Sequence, residues 1–507
     1  MSASPTPSFC VSLPPREVIL DPSFWRYKNE GNANIIFSSV SSIPAYQGLA
    51  LRVRKSGSRS LEVPSSKPNQ ANSYQTVLTY IESTIIPLVG SEYTAPMCLQ
   101  EVTPQFLTEL DEQTSSYRPD YRLHKGIDSS YVHAMVTIDL TYSPKSPSSN
   151  PSISTAETGL SVEIKPKWGF LSNSVALPQD HIKRKTCRFC MKKYLDRHRD
   201  QYKSRPGAIL PLTEFCPMDL YSPNSERVER ALETLYRNPR NNMRLFNGDG
   251  YLTTPPSWNQ QVLRFFQKHV PSSIVNEADS KLHLTSILES HLTPVLVGIL
   301  LKEPILRRIQ RWQQRLDQWD IEALYPLVRD FMVDPSNGPL KDRLLTLPTS
   351  DEWAYAAEQA LLDSRKQQPD YINPNAHSLR QAIVEYLISA TLKDCSIFIS
   401  LWFPPADDTT TTTEPPQHHT GQLIFSWDTV SNRAIVTDAT TTAGPSTPLA
   451  AGNPDHHLAG GTELWYSIHA IDLDPKPISK FEKYFGGDQN IVNYYKSLNL
   501  TRVCQAD

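Results

Sequence analysis

Residues 162–170 read Val-Glu-Ile-Lys-Pro-Lys-Trp-Gly-Phe, and this stretch carries the strongest clue to the architecture of the chain. An apolar frame that includes Ile164 and Trp168 surrounds two lysines, which favours a covered β-strand. Side chains two residues apart on a strand point to the same face, so Lys165 and Lys167 would lie side by side. Two like charges repel unless an anion lies between them. The stretch therefore predicts either an anion pocket or a solvated strand edge, and the pattern alone leaves both open.

The composition of the chain bounds its class. Its 507 residues exceed a single compact core, so two or three domains are expected. The 50 Lys and Arg against 53 Asp and Glu give a net charge of −3, which disfavours a protein held on nucleic acid or on an anionic membrane by bulk electrostatics. A hydrophobic share of 39% and a mean hydropathy of −0.41 are typical of a globular chain with a buried core.

No segment predicts export or membrane insertion. The first residues lack a cationic stretch followed by an apolar run. The most apolar run, 292–301, is interrupted by Pro294 and is about half the ~20 residues that a membrane span needs. The seven cysteines are odd in number and widely spaced, which favours reduced thiols. We therefore expect an intracellular monomer, in the nucleus, the cytoplasm or both, with no nucleic-acid or membrane partner.

The apolar periodicity changes along the chain. Short alternating runs at 33–37, 49–53 and 132–140 predict strands in the first 142 residues, with a helix at 74–89. The later segments predict mostly helices and a few strands. The helices are expected at 225–236 (with Ser225 as the N-cap), 305–319 and 378–392, and the strands at 396–402, 423–427 and 465–471. The pattern predicts an α+β fold, in which a smaller β-rich lobe is followed by a larger helical lobe with a few strands.

Three segments rich in Pro, Ser or Thr interrupt this pattern. They lie at 143–158, 404–419 and 437–461. Such a composition cannot bury enough apolar surface to offset the loss of chain entropy, so we expect mobile inserts. The first insert would separate an N-terminal lobe at 1–142 from a C-terminal lobe at 159–507 that contains the other two.

Acidic and basic residues gather where predicted elements end. Asp394 lies between a predicted helix and an apolar strand, while Asp472 and Asp474 end the last strand. Lys476 and Lys480 follow, four residues apart on one helical face. One carboxylate near a reacting hydroxyl and another near a metal ion are what phosphoryl transfer from ATP·Mg²⁺ requires. Each Asp alone is more often a cap or a turn former, so only the combination points to catalysis.

A pair of cysteines raises the possibility of a metal site. Cys187 and Cys190 have zinc-knuckle spacing, and Cys216 lies nearby in the sequence. A second CxxC or a CxxH partner at regular spacing is missing. Two cysteines three residues apart on a helix are more often ordinary packing residues, so the pair favours packing over metal binding.

Seven segments, in order along the chain, carry a family resemblance. They are WRYKNEGNANIIFS (25–38), ALRVRK (50–55), VEIKPKWGF (162–170), CRFCM (187–191), NPRNNMRLF (238–246), ATLKDCSIFIS (390–400) and IDLDPKP (471–477). Together they resemble the inositol-pentakisphosphate 2-kinase family. The matches span residues 25 to about 484, and EIKPK with KDCS is specific. The long Pro- and Thr-rich inserts suggest a fungal member.

The resemblance implies a two-lobed inositol phosphate kinase fold related to protein kinases, with ATP and Mg²⁺ held between the lobes. The turn at 30–34 would cover the ATP phosphates, and Arg52 would contact them. The hinge at 138–141 would meet adenine mostly through its backbone. The residues implied to bind ATP are Gly31, Asn32, Ala33, Asn34, Arg52 and Asp139.

The resemblance also assigns the chemistry. Asp394 would orient or deprotonate the inositol 2-hydroxyl, and Asp472 would hold Mg²⁺. Arg122 is preferred to Arg118 as the contact from the N-terminal lobe because of its spacing to the hinge. The residues implied to bind the substrate are Arg122, Lys165, Lys167, Asn241, Arg244, Lys476, Lys480 and Tyr484.

Two departures from the family pattern matter. Where the family has a substrate-binding Lys after CRFCM, this chain has Asp196, an acid that would repel phosphate. Either Lys192, Lys193 or Arg197 substitutes, or one contact is lost. Plant members also carry a structural zinc site of His and Cys ligands in the large lobe. No cysteine lies between residues 216 and 395, so we expect no structural zinc.

The resemblance thus predicts a phosphotransferase acting on an alcohol. The reaction would be ATP-dependent phosphorylation of the 2-hydroxyl of inositol 1,3,4,5,6-pentakisphosphate, which gives inositol hexakisphosphate (phytate). The alternative is a non-catalytic inositol-phosphate-binding scaffold that kept the fold. The retained Asp394 and Asp472 speak against a scaffold, since such a protein could lose both acids freely.

Overall fold

The structure is a computed structural model. It describes residues 20–56, 71–142, 159–203, 212–247, 250–252, 255–270, 287–362, 374–404, 420–428, 431, 433–438 and 461–507. The predicted insert at 143–158 lies outside the described residues, as do all but the ends of the other two. Thr437 and Asp438 belong to a strand, so the third predicted insert began two residues too early.

The first part of the chain forms a five-stranded antiparallel sheet with helices packed against it. Its strand order is β1-β2-β3-β5-β4. Thr103 caps the third helix by accepting a hydrogen bond from the backbone N–H of Phe106 (3.1 Å), and Pro104 at the first position suits a helix start. The elements are β1 (Trp25–Glu30), β2 (Asn34–Ser39), β3 (Leu49–Arg54), α1 (Ala71–Tyr80), a π-helical turn (Ile81–Ile85), α2 (Ile86–Val89), β4 (Met97–Glu101), α3 (Pro104–Thr114) and β5 (His133–Ile138).

The rest of the chain is built on a seven-stranded sheet of order β11-β10-β12-β9-β6-β7-β8. Every residue of β6 and β9 is buried, because helices and loops cover both faces at the centre of the sheet. This explains the nearly continuous apolar run of β9. The strands are β6 (Gly159–Ile164), β7 (Met243–Asn247), β8 (Gly250–Leu252), β9 (Ser396–Trp402), β10 (Gly421–Asp428), β11 (Arg433–Asp438) and β12 (Thr462–Ile471).

Helices surround this second sheet. Asn224, not Ser225, caps the predicted 225–236 helix by accepting from the N–H of Arg227 (3.1 Å). The predicted 305–319 helix ends at Arg315. The helices are α4 (Arg188–Lys203), α5 (Pro217–Leu220), α6 (Ser225–Arg237), α7 (Pro255–Phe266), a π-helical turn (Leu288–Leu292), α8 (Thr293–Lys302), α9 (Ile305–Arg315), α10 (Ile321–Val333), α11 (Leu340–Leu344), α12 (Ser350–Leu362), α13 (Ala376–Leu392) and α14 (Phe481–Ser497).

The two sheets are joined at a turn that follows β5. Leu140 in this turn accepts a hydrogen bond through its carbonyl oxygen from the Ser400 hydroxyl of β9. Behind the sheets, Trp312 Nε1 donates to the Leu88 carbonyl (2.6 Å), which ties α9 to the first part of the chain. A smaller, β-rich part and a larger part with many helices confirm the predicted α+β fold, although the larger part holds more strands than the sequence indicated.

Candidate active site

Strand topology brings the predicted catalytic residues together. Neighbouring strands β12, β9 and β6 are antiparallel, and Ile397 near the start of β9 pairs with Ile164 at the end of β6 and with Ala470 near the end of β12. Residues that precede β9 must therefore lie beside residues that follow β6 and β12. Lys165, Asp394 and Asp472 meet at this edge of the sheet although they come from distant parts of the sequence.

Lysines and carboxylates pair at this edge. Lys476 Nζ lies 2.6 Å from Asp394 Oδ2, and Lys167 Nζ lies 3.4 Å from Asp394 Oδ1. Lys165 Nζ lies 3.0 Å from Asp472 Oδ2. The two acids remain open, since 58% of the Asp394 side chain and 56% of the Asp472 side chain are exposed. The lysines are thus held by acids that a ligand could still reach.

The prediction that Lys165 and Lys167 share one strand face was wrong. Strand β6 ends at Ile164, and the intervening proline, Pro166, has no N–H to donate to a ladder. Lys167 has a φ of 63°, which turns the chain out of the extended conformation. Because of this turn the two ammonium groups contact different carboxylates. Asp472 has a similar φ of 62° at the opposite side of the site.

A buried carboxylate behind this edge was missed from sequence. Glu163 accepts a hydrogen bond from the Ser396 hydroxyl (2.8 Å), and the same hydroxyl lies 3.3 Å from Asp472 Oδ2. The Glu163 carboxylate also faces Arg244 Nη1 and Lys165 Nζ, each at 3.5 Å. It therefore orients two of the predicted substrate-binding cations. Its position within the buried strand of the EIKPK segment was the available clue.

The charges at the site shift one another's protonation. Burial alone would raise the pKa of Asp394, but the charges of Lys476 and Lys167 outweigh it and hold the pKa below its ordinary value. Burial lowers the pKa of Lys167, Asp394 opposes this, and Lys165 adds to the lowering. Burial and the neighbouring ammonium of Lys476 lower the pKa of Lys480. Asp394 is therefore ionised at neutral pH, beside cations that repel one another.

Next to Asp394 lies a cavity of about 520 Å³. Nine Lys and Arg side chains line it against three Asp, so its wall is strongly cationic although the whole chain is slightly acidic. The predicted residues on its wall are Lys167, Asn241, Asp394, Lys476, Lys480 and Tyr484. The basic residues there that the sequence analysis did not assign to the site are Arg188, Arg240, Lys393 and Lys483, and Lys192 and Lys193 were named only as substitutes.

Trp168 of the opening segment explains two of these added cations. Lys393 Nζ lies 4.1 Å from the ring centroid of Trp168, and the Arg188 guanidinium carbon lies 4.8 Å from the ring centroid. Lys393 is buried and also pairs with Asp317. Lys393 therefore has a packing role next to Asp394, and Arg188 faces both Trp168 and the cavity.

The acid at position 196 lies on the cavity wall as the sequence suggested. Asp196 pairs with Lys192 one turn earlier on α4. Lys193, by contrast, is buried and donates from Nζ to the Thr213 carbonyl (2.9 Å). Of the proposed substitutes for the family Lys, Lys192 and Lys193 both reach the cavity, and only Lys192 is substantially exposed.

The turn at 30–34 joins β1 to β2, and buried ion pairs and hydrogen bonds from neighbouring residues hold it in place. Glu30 is buried and pairs with Lys55 and with the guanidinium of Arg118, whose Nη2 lies 3.0 Å from Glu30 Oε2. Arg122 donates from Nη1 to the Gly31 carbonyl and to Asn32 Oδ1, both at 3.1 Å. Arg118 is thus part of the buried support, whereas Arg122 is partly exposed beside the turn. Their positions fit the preference for Arg122, whose contact with substrate stays a prediction.

Arg52 links the two parts of the chain. Its guanidinium pairs with Asp474. When the Asn34 side-chain amide is oriented with its oxygen towards Arg52, that oxygen lies 2.7 Å from Arg52 Nη2. Burial alone would raise the pKa of Asp474, but the charge of Arg52 outweighs it and lowers the pKa. Among the described residues, Asp474 Oδ1 is buried without a hydrogen-bond partner. Asp474, quoted in the motif but not assigned a role, therefore belongs to the site.

Asp139 lies in the turn between the two sheets. Its carboxylate accepts from the Thr141 N–H (2.9 Å) and the Thr141 hydroxyl (2.7 Å), and its own N–H donates to the Gly48 carbonyl (2.7 Å). The side chain therefore shapes the turn. Ile138 packs beside it in an apolar cluster with Leu140 and Phe398. An adenine contact by Asp139 remains a prediction.

The described residues show no helix that combines the length and the apolar character needed to cross a membrane.

The sequence pattern of one protein family, described as inositol-pentakisphosphate 2-kinase, matches residues 27–490. Curated relatives named inositol-pentakisphosphate 2-kinase are 25% identical over 509 residues in Arabidopsis thaliana, 24% over 535 in Danio rerio and 24% over 485 in Cryptococcus neoformans. Each alignment covers 94% of both chains. Because the family match extends over nearly the whole chain, the protein belongs to the inositol-pentakisphosphate 2-kinase family.

Proposed function

We propose that this protein transfers the γ-phosphoryl group of ATP to the 2-hydroxyl of inositol 1,3,4,5,6-pentakisphosphate and releases inositol hexakisphosphate. The observation that carries the proposal is the open carboxylate of Asp394, held by Lys167 and Lys476 beside a cavity lined by nine Lys and Arg. Membership of the family supports the same reaction.

The cavity suits a small ligand with many negative charges. Its volume of about 520 Å³ lies within the roughly 300–1,000 Å³ of typical ligand pockets. The lowered pKa of Lys167 and of Lys480 reflects burial and crowding among cations, and an anion would relieve this crowding. Phosphate groups pair well with Lys and Arg in such surroundings. A pentakisphosphate therefore fits the cavity better than a neutral sugar would.

Asp394 is suited to orient the attacking hydroxyl. Its lowered pKa keeps it ionised, so it accepts a hydrogen bond from the 2-hydroxyl and takes the proton as the bond to phosphorus forms. Lys476 and Lys167 hold its two oxygens in place and bind the phosphates on either side of the reacting hydroxyl. Positioning of this kind supplies much of the acceleration in phosphoryl transfer.

The residues around the turn at 30–34 fit ATP and Mg²⁺. Asp472 and Asp474 offer carboxylate oxygens, the ligand type that Mg²⁺ prefers, and the buried Asp474 Oδ1 has no other partner. Around Gly31 no atom of the described part of the chain lies within 4 Å of the position that a Cβ would take, which leaves room for a phosphate. Arg52 would contact the phosphates from β3. When bound, the metal ion would neutralise phosphate charge.

Incubation with ATP, Mg²⁺ and inositol pentakisphosphate tests the proposal. We expect a hexakisphosphate product phosphorylated at the 2-position, detected by anion-exchange chromatography and phosphorus NMR. Asp394→Ala should lower kcat by roughly 10³-fold, because the hydroxyl loses its acceptor, while ATP still binds. Asp342→Ala, which removes an exposed acid on α11, is the control and should leave kcat unchanged.

Two outcomes would contradict the proposal. Tight binding of the pentakisphosphate without any product would favour the scaffold alternative. Turnover of the Asp394→Ala variant at the rate of the unmodified protein would remove Asp394 from the mechanism and leave the proposed site without its hydroxyl acceptor.

A further inference from the structure

Most cations of the cavity wall already have an acidic partner. The six that pair with a carboxylate are Lys167, Arg188, Lys192, Arg240, Lys393 and Lys476. Lys193 instead donates to the Thr213 carbonyl (2.9 Å). Within the described residues, the ammonium groups of Lys480 and Lys483 have neither an ion pair nor a hydrogen bond. These two lysines therefore carry the uncompensated positive charge of the wall.

Both lysines lie at the start of a helix. Lys480 is the N-cap residue of α14, and Lys483 lies three residues further on, in the first turn. The N-terminus of this 17-residue helix carries a partial positive charge, which favours acids in the first turn and disfavours lysines. Two cations at this end therefore lower stability unless an anion binds beside them.

The sequence around Lys483 offers it no acid. Acids that pair with a helical lysine lie three or four residues away. At these distances from Lys483 stand Ser479, Lys480, Gly486 and Gly487, none of which is acidic. The ammonium group instead repels its neighbour: burial lowers the pKa of Lys480, and the positive charges nearby, including that of Lys483, lower it further. A phosphate bound between the two lysines would remove this repulsion.

Gly487 leaves open space beside Lys483. It lies one turn later on α14 and lines the cavity. Helical side chains lean towards the N-terminus, so a side chain at 487 would cover the surface around Lys483. A Cβ at Gly487 would meet no atom of the described residues within 4 Å, whereas at Gly298 of α8 it would lie 2.8 Å from Val436. Packing thus requires glycine at 298 and not at 487, where the open space belongs to the cavity.

We propose that Lys483 binds one phosphate group of the substrate in the space that Gly487 leaves open, and that this contact selects for an inositol ring that carries this phosphate. The proposal rests on the proposed function, since it takes inositol pentakisphosphate as the ligand. A phosphate there would complement the N-terminus of α14 as well as the two lysines. It would lie between α14 and α4, two helices that pack together through Met191 and Ile491.

Calorimetric titration with inositol pentakisphosphate tests the contact. We expect Kd to rise about fivefold in Lys483→Met, which is the loss of an exposed charge pair of about 1 kcal/mol. Lys496→Met, an exposed change near the other end of α14, is the matched control and should leave Kd unchanged. Tm should not fall in Lys483→Met, because the variant removes a cation from the helix N-terminus. An unchanged Kd in Lys483→Met would overturn the proposal.

A series of inositol tetrakisphosphates, each lacking a different phosphate of the pentakisphosphate, shows whether the contact is direct. Lys483→Met should weaken the binding of every isomer that keeps the contacted phosphate. The isomer without that phosphate should bind the variant and the unmodified protein equally well. Equal weakening across the whole series would mean long-range attraction alone and would also overturn the proposal.

Gly487→Leu tests the open space. The added side chain should weaken pentakisphosphate binding because it would cover Lys483, although leucine suits a helix better than glycine does. Gly486→Leu is the matched control, because a Cβ at Gly486 also meets no described atom within 4 Å and this residue is not on the cavity wall. It should leave Kd unchanged. Equal Kd values in the two variants would refute the role of Gly487.

Binding and turnover separate this proposal from the proposed function. Pentakisphosphate binding with the expected dependence on Lys483, but without a hexakisphosphate product, would support the contact and refute the reaction. Product formation with Kd and kcat/KM unaffected by Lys483→Met would support the reaction and refute the contact. Failure of the unmodified protein to bind the pentakisphosphate would refute both.

Discussion

Two clusters of acids and lysines in this protein have the same chemistry and opposite exposure. Around Lys183, the carboxylates of Asp320 (2.7 Å), Glu322 (3.0 Å) and Asp488 converge on one ammonium group. Only 6% of the Lys183 side chain is exposed, against 58% for Asp394 in the active site. The first cluster is enclosed around its ammonium group, whereas the carboxylates of the second are open to a ligand.

The difference shows in the protonation of the acids. Burial alone would raise the pKa of Glu322, but hydrogen bonding to His181 and the charge of Lys183 lower it to about 2. That interaction lies entirely within the folded chain. The lysines around Asp394 instead repel one another, and their positive charges, which Asp394 neutralises only in part, are available to attract phosphate groups. Ion pairs of the first kind stabilise the fold, and those of the second kind prepare a binding site.

Breaking the buried cluster should have the largest effect on stability. Lys183→Met leaves three carboxylates close together with one fewer cation, so the free energy of unfolding should fall by about 3–5 kcal/mol. Urea denaturation followed by circular dichroism measures this. Lys496→Met, an exposed change on α14, is the control. A loss below about 1 kcal/mol would mean that Lys183 behaves as a surface ion pair.

Breaking the exposed cluster should affect activity and leave the fold intact. Lys476→Ala removes a cation that contacts Asp394 and faces the cavity. We expect kcat/KM for the pentakisphosphate to fall by about 10–100-fold, because a charge-assisted hydrogen bond contributes about 1.5–3 kcal/mol. Steady-state kinetics at varied substrate concentration measures this, and Lys496→Ala is the matched control. An unchanged kcat/KM with a lowered melting temperature would assign Lys476 to folding instead.

Substrate binding should take up protons where the pH approaches the lowered pKa values of two lysines of the cavity wall. The pKa values of Lys167 and Lys480 are lowered in the free protein, and bound phosphates would raise them again. Affinity should therefore be highest below these free-state pKa values and fall as the pH rises through them. Calorimetry in two buffers of different ionisation enthalpy counts the protons. Lys480→Met should reduce the uptake, and proton release on binding would contradict the assignment.

The smallest expected effect concerns Asp196. Its pair with Lys192 keeps one cation of the cavity wall occupied, and the acid itself repels phosphate. Asp196→Lys should tighten pentakisphosphate binding by about fivefold, because a partly exposed charge contributes about 1 kcal/mol. Glu358→Lys, on the exposed face of α12, controls for the change in net charge. Equal tightening in both variants would point to long-range attraction alone.

The sequence revealed much of the site because its residues lie beside strong patterns. Strand β9 begins two residues after Asp394, and β12 ends directly before Asp472, so both acids could be placed at strand ends. Their meeting could not be predicted from periodicity, because it depends on the order β12-β9-β6 in the sheet. The resemblance to the family supplied that information.

Other features were hidden for physical reasons. Lys167 looked like a strand residue, since alternation in the sequence carries no sign that the chain turns at Pro166. The contact between Cys187 and Cys504 could not be predicted either, because Cys504, whose Sγ accepts a hydrogen bond from the Cys187 N–H, follows more than three hundred residues later. Sequence spacing reports local structure, and a cluster of side chains assembled from remote segments leaves only a partial trace in it.

The left-handed backbone at Lys167 and Asp472 has a consequence for the evolution of the protein. Glycine adopts such a φ more easily than either residue, by roughly 1 kcal/mol or more for the lysine. Glycine would nevertheless remove the ammonium group or the carboxylate that the site uses. In the proposed reaction these two residues serve turnover, so at both positions selection for heat resistance and selection for turnover would point in opposite directions.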